Sequence, residues 1–480
     1  MDKTYFLSQT TSLTLVIVIS LIFVSLGLYN SKKYQGLNNY LTANRNIGSF
    51  TLSTSLVASA LGAWILFGPA SAATWGGIGA VMGYALGTAF PMIFLIFLGK
   101  KIRNDFPAGS TLIEFLRKKF SKTLFKLILF MTIFYMFVFL CAEVTAVAIL
   151  INYISGSELW ITAFIILTCT LTYTLYGGLR ASIFTDNIQM VVIIILFLIS
   201  VFYLTSFTGD AFTFSFIKEK NPDLLSVKYI PNYTAGLTFF IAVAATNLFH
   251  QGNWQRVYAA KNNKVLKQSL IVSSIIIIPI VFFMGFSGLV AVSVDPKVIP
   301  DLGFFSLLFI EQTKFLSLLI VILGLSLTIS TIDTLVNAIS SLIIVDGKAT
   351  FKLNKKTNYL KLSKFCLIIL SILAFFIASK GFSVLYLFLL ADLFCCAFVL
   401  TVFYSFYNKS MTEKTAYKSI IVGLIGGFLL FPSPDFSTSI LIGIILPKDL
   451  FPSIVSQSLL FLSFLIATFI PITIWKLRSR

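Results

Sequence analysis

The sequence predicts an all-α polytopic membrane protein of about thirteen transmembrane helices, and three observations carry that prediction. Of 480 residues, 58% are hydrophobic and 11% charged, with a mean hydropathy of +0.95, a balance that soluble domains do not reach. Apolar stretches long enough to cross a bilayer recur near 12–28, 50–72, 76–99, 125–153, 158–176, 186–207, 233–252, 268–294, 315–345, 363–379, 382–406, 418–431 and 454–475. Finally, when alternate connections are grouped, 28 of the 36 Lys and Arg fall on one side. That asymmetry places the N-terminus outside and the C-terminus in the cytoplasm. The net charge of +18 is therefore topological, facing the inner leaflet of a lipid bilayer, and implies no nucleic acid partner.

Taken in order, the first span reads as retained: its leader is barely basic, and Lys32 and Lys33 follow it where a cleavage site would be. The second departs from a smooth helix, with Ser55, Ser59, Gly62, Gly68, Pro69 and Ser71 amid apolar residues; Gly68-Pro69 marks the expected break. A second interruption gathers Thr246, Asn247, His250, Gln251, Gly252 and Asn253. Interrupted spans at corresponding positions of two halves point to a transporter site. The chain then divides, within one transmembrane domain over 1–480, into a first helix and loop (1–49), a first repeat (50–207), a second repeat (233–406) and two terminal helices (407–480).

The ninth span carries the densest polar stripe. At 3.6 residues per turn, Ser326, Ser330, Asp333, Asn337 and Ser341 share a face, with Thr334 beside it. Oxygen-bearing side chains in a membrane span either join helices or surround a hard cation. A carboxylate there points to the bundle interior or a water-filled cavity. Three further acids lie in or at the edge of spans. Asp186 reads either as a cap of the sixth span or as a functional group; Glu143 and Asp392 read equally as interhelical hydrogen-bond partners or as site residues. The five cysteines read as small buried hydrophobes, and a single histidine, His250, removes most metal and Ser-His chemistry. No enzyme is expected.

Together these residues resemble the sodium:solute symporter family, over nearly the whole chain. The most specific parts are Tyr176-Gly177-Gly178-Leu179 followed by Thr185-Asp186 and Gln189, and Ser330-Thr331 ahead of Asp346. Gln255-Arg256 with Ala259-Ala260-Lys261, and Leu41-Thr42 with Arg45, add to it. The urea-type and bacterial branches look nearer than the sugar carriers. The resemblance implies an inverted-repeat (5+5) broken-helix transporter fold, no organic cofactor and Na+ as the coupling ion. It implies a sodium site built from the carbonyls of Ala58, Leu61 and Leu327 and the hydroxyls of Ser330 and Thr331. It further implies a second cation or proton site at Asp186, Ser330, Asp333 and Thr334, where Asp333 departs from the usual hydroxyl. The substrate candidates are Trp64, Tyr84, Glu143, Thr246 and Asn247, with a cationic or hydrogen-bond-donating solute favoured where Glu143 faces the cavity.

The expected activity is sodium-driven import of a small organic solute (amino acid, urea, polyamine, carboxylate or sugar) by alternating access. Competing readings are a proton-coupled carrier or facilitator of the same fold and, further off, a transporter-like sensor. An excess of Lys over Arg, 29 against 7, suggests an AT-rich genome and a bacterial inner membrane.

Overall fold

The computed structural model describes residues 5–120, 122–309, 313–350, 357–407, 412–434, 436, 438–445 and 453–478. Of the basic residues used above for orientation, Lys352, Lys355, Lys356, Lys409 and Arg480 lie outside them. The principal helices are α1 (Gln9–Lys33), α2 (Ser49–Ala60), α3 (Gly68–Asp105), α4 (Lys122–Ser155), α5 (Leu159–Thr208), α6 (Ile230–Phe249) and α7 (Gln251–Ala259). They continue with α8 (Asn263–Val294), α9 (Lys314–Leu342), α10 (Tyr359–Ala378), α11 (Val384–Ser405), α12 (Glu413–Leu430) and α13 (Ser453–Arg478). Among the described residues eight helical segments are by themselves long and apolar enough to cross a membrane.

Two of these bend sharply within their length. At 1.5 Å per residue, α3 with 38 residues and α5 with 50 exceed a hydrocarbon core of about 30 Å. Each contains one glycine with positive φ, Gly77 (φ 60°) and Gly178 (φ 59°), where the backbone leaves helical geometry and two helices meet at a kink. Only glycine takes that conformation without a Cβ penalty. The separate spans expected at 158–176 and 186–207 are thus the two arms of α5. Asp186 lies inside the second arm and is fully buried, which removes its reading as a helix cap.

The breaks lie near, but not on, the expected positions. α2 ends at Ala60; Leu61 N–H still donates to the Val57 carbonyl (3.0 Å), and a single short turn, Ala63–Leu66, precedes α3. Pro69 sits in the first turn of α3. It starts a helix rather than breaking one, because its missing N–H is not needed there. The unwound segment is Leu61 to Phe67, upstream of the Gly68-Pro69 pair. The second break is a single residue: His250 (φ −61°, ψ 107°) is extended between α6 and α7.

Helices α2, α3, α6 and α8 pack tightly together. Added to Gly79 of α3, a Cβ would lie 1.6 Å from the Asn232 carbonyl oxygen, and on Gly83 it would lie 2.2 Å from that of Gly236. On Gly288 of α8 it would lie 2.1 Å from the Ala70 carbonyl. Hydroxyls link α8 to α2: Ser269 donates to the Ser49 carbonyl (3.0 Å) and Ser273 to that of Ser53 (3.3 Å). Helices α4, α5, α9 and α11 pack against one another beside this group.

The two ends of the molecule differ. At one, Arg45 donates to the Gly109 carbonyl (2.7 Å), Arg103 to those of Val257 and Ala260 (2.5 and 2.9 Å), and Thr111 to Asp346 (2.7 Å). At the other, the chain start meets α4 through Phe6 N–H and the Ile154 carbonyl (2.9 Å), and Asp301 meets the starts of α3 and α11. The basic loops belong to the first. Cys141, Cys395 and Cys396 are buried as expected, whereas Cys169 and Cys366 are only half-buried, on helix faces turned from the core.

Candidate functional site

Every polar residue of the α9 stripe is buried: Ser326, Ser330, Thr331, Asp333, Thr334, Asn337 and Ser341. The helix is apolar on its other faces and carries these side chains inward, where four elements meet. Asp186 of α5 accepts from Ser330 Oγ of α9, from Ser55 Oγ of α2 and from Arg256 Nη2 of α7, each at 2.6 Å. Arg256 is itself fully buried. Its Nε donates to Ser55 Oγ (2.8 Å), its Nη1 to the Gly252 carbonyl (3.1 Å) and its Nη2 also to Thr334 Oγ1 (3.0 Å). Asp333 occupies a neighbouring nest: Tyr173 (2.6 Å), Ser182 (2.7 Å), Thr185 (3.2 Å) and Thr334 (3.4 Å) all donate to it.

Asp186 and Asp333 therefore do not share one open ligand set. A guanidinium stands against Asp186, and Thr334 joins the two nests. A buried charge needs a counter-charge and hydrogen bonds together, and Arg256 supplies both to Asp186. The sequence signal for this was Arg256 itself, a cation with no acid nearby in the chain, already noted as part of the Gln255-Arg256 pair.

The residues expected to bind sodium surround the first break. Ala58 and Leu61 are buried at the end of α2, where the helical ladder stops, and Leu327 lies one turn before Thr331 on α9. Thr331 Oγ1 donates to the Leu327 carbonyl (3.2 Å) and lies 2.8 Å from where a Cβ on Gly62 would stand, so α9 and the unwound segment touch here. Ser330, expected at both sites, is turned to Asp186.

Of the substrate candidates, Trp64, Tyr84, Thr246 and Asn247 line one small cavity of about 30 Å³ between the two breaks. Glu143 does not. Its Oε2 accepts from the Ala63 N–H (2.9 Å) while Oε1, beside Gly62, has no partner among the described residues. The physical reason is the break: unwinding frees backbone N–H groups that need an acceptor, and Glu143 is turned to them instead of to the cavity. The carboxylate that does face the cavity is Asp392 of α11, joined by His250, Phe139 and Phe388. Thr246 donates to Asp392. Trp64 stacks on Tyr84 (5.8 Å between ring centres), and Phe139 meets Phe388 edge-on (4.7 Å). Asp392 is the lone acid of an apolar span; only tertiary packing could distinguish its cavity-facing position from a helix-joining one.

Comparison with known proteins agrees with this architecture. The sodium:solute symporter family profile matches residues 40–423. The chain is 26% identical to a spermidine transporter, DUR31, of Candida albicans, over 81% of this chain and 73% of that protein. It is 29% identical to sodium/glucose cotransporter 1 of Ovis aries over 42% of this chain and 30% of that one, so it spans less than a third of the cotransporter. Among solved structures, a Na+-coupled sialic acid symporter in a substrate-bound outward-open state superposes with a TM-score of 0.72 at 17% identity, covering 98% of this chain and 97% of that one. Mhp1, a nucleobase-cation-symport-1 transporter, gives 0.53 at 13% identity, covering 92% and 96%. These likenesses show the fold, the broken-helix transporter architecture expected above. The chain belongs to the sodium:solute symporter family and is a sodium-coupled membrane symporter, not an enzyme.

Proposed function

We propose that this symporter imports a small organic cation, an amine-bearing solute, with sodium. The observation that carries this reading is Asp392: a buried carboxylate facing a cavity walled by Trp64, Tyr84, Phe139 and Phe388, with no Lys or Arg among the residues lining it. An ammonium group satisfies such a carboxylate and gains from the ring faces, each contact being worth roughly 0.5–2 kcal/mol. An uncharged sugar or urea would instead leave a buried charge without a counter-ion. The spermidine transporter among the relatives supports the same substrate class.

In this reading sodium binds where α2 unwinds against α9, on the carbonyls of Ala58, Leu61 and Leu327 and the hydroxyls of Ser330 and Thr331. Sodium neutralises carbonyl dipoles at the break and holds α2 against α9, favouring the state that admits the amine. Coupling of this kind needs about 1–3 kcal/mol. Asp186, Ser330, Asp333 and Thr334 form a second cation or proton site in the cycle, in which Arg256 occupies Asp186 while the site is empty of sodium. The repeats are 50–207 and 233–406, flanked by 1–49 and 407–480. The N-terminus lies outside and the basic end in the cytoplasm, as in a bacterial inner membrane.

The test is a thermal-shift panel on purified protein with amines, amino acids, urea, carboxylates and sugars, each with and without sodium. A ligand that binds only the folded state raises the midpoint by mass action. A rise for amines that requires sodium is expected. A rise for a neutral solute alone would refute the amine reading, and a rise for amines irrespective of sodium would favour the proton-coupled carrier or facilitator.

A further inference from the structure

A cavity of about 500 Å³ lies at the end opposite the basic loops. Asp301, Trp75, Ser71, Ser383 and Phe436 line it. Asp301 accepts from Ser71 Oγ of α3 (2.7 Å) and from Ser383 Oγ at the start of α11 (3.0 Å). A carboxylate has about four acceptor positions, so two hydroxyl donors leave capacity for a ligand. Among the described residues no Lys or Arg pairs with Asp301.

This cavity and the central pocket lie along the same two elements. On α11, Leu385 lines the first, and Phe388 and Asp392, on the same helical face, line the second. Between them runs a column of rings: Trp75 against Phe239 (5.8 Å), Phe239 stacked on Tyr84 (4.5 Å), and Tyr84 on Trp64 (5.8 Å). Ser383, in contact with Asp301, precedes Asp392 by nine positions on α11, which is about 13 Å of helix.

We infer that the cavity at Asp301 is a second organic-cation subsite, so that the transporter recognises linear polyamines by two carboxylates, Asp392 and Asp301, set at successive positions along α11 and joined by an aromatic column. This rests on the amine reading of the central pocket. One ammonium is held by Asp392, the chain runs past Tyr84, which Phe239 backs, and a distal ammonium is held by Asp301 against Trp75. Because Asp301 ties α3 to α11 through two hydroxyls, the distal ammonium joins the same bridge and stays with it as the cavity closes.

The experiment is calorimetric titration of the full chain in lipid nanodiscs at saturating sodium. The probes are straight-chain monoamines and linear α,ω-diamines of matched chain length. Diamines are expected to bind about tenfold or more tighter than the matched monoamine once the chain spans the two carboxylates, because the second contact is intramolecular. Asp301→Asn should abolish that gain, so that within this variant a diamine binds no tighter than its matched monoamine, and Asp301→Glu should retain it. A diamine series with no gain at any length, or a gain that survives Asp301→Asn, overturns the subsite while monoamine binding that depends on Asp392 leaves the central reading intact. Failure of every amine to bind overturns both. Should Asp301→Asn not fold, the chain-length series in the unaltered protein together with Trp75→Leu decides the matter, a flat series overturning the subsite.

Discussion

Two buried carboxylate regions lie within this transporter, and they are built oppositely. Around Asp186 and Asp333 the hydroxyls of Ser55, Tyr173, Ser182, Thr185, Ser330 and Thr334 and the guanidinium of Arg256 are all directed at the acids. Around Asp392, Thr246 alone donates among the described residues, and Trp64, Tyr84, Phe139 and Phe388 supply ring faces to the same cavity. All three acids are buried deep in a membrane protein, so burial alone does not separate the two regions. Unspent acceptor capacity beside a cavity does. The hydrogen bonds of the first region join helices; the second is the place proposed for the solute.

The contrast is sharpest at Arg256. Arg256→Gln leaves Asp186 without its counter-ion, and a buried pair broken from one side loses roughly 3–5 kcal/mol. A large fall in the unfolding midpoint is expected, with partial recovery in Asp186→Asn/Arg256→Gln; a stable single variant would mean that the guanidinium is not the partner that matters. Asp392→Asn should act the other way. It should weaken amine binding by about tenfold or more, roughly 1.4 kcal/mol, and shift the midpoint little. Unchanged amine affinity would move the solute away from α11. Ser330→Ala should have the smallest effect, about 1 kcal/mol from one hydroxyl, read as a several-fold rise in the sodium concentration for half-maximal uptake. Sodium dependence that does not move would place the ion elsewhere than on Ser330.

How much of this the sequence could disclose follows from what each feature depends on. The spans were legible because a bilayer imposes length and hydropathy on every crossing, and the α9 stripe because helical period alone puts Ser330 and Asp333 on one face. The joins were not. Gly77 and Gly178 are kinks at which two helices abut with no connecting loop, so composition does not mark where one helix ends and the next begins. Gly68-Pro69 drew attention by its chemistry, yet the unwinding falls one turn earlier, where Gly62 lets Glu143 and Thr331 approach the backbone. The reversed roles of Glu143 and Asp392 have the same origin. Each is one acid in an apolar helix, and only the partner across the interface, freed N–H groups in one case and a cavity in the other, tells them apart. Asp186 and Arg256 stand 70 positions apart, beyond any local signal.

The glycine contacts that seat α3 on α6 and α8 carry a mechanical consequence. Where carbonyl oxygens occupy the space a methyl group would need, adjacent helices cannot slide or roll past each other without collision, so the group turns as one stiff lever. Its compliance is then confined to its rims, where single hydroxyls and carboxylates meet the surrounding helices: Ser71 with Asp301 at one rim, Ser55 with Asp186 at the other. A ligand that loosens or tightens one rim thereby applies torque to the other, and the chain needs no separate relay of side chains through its interior to connect them.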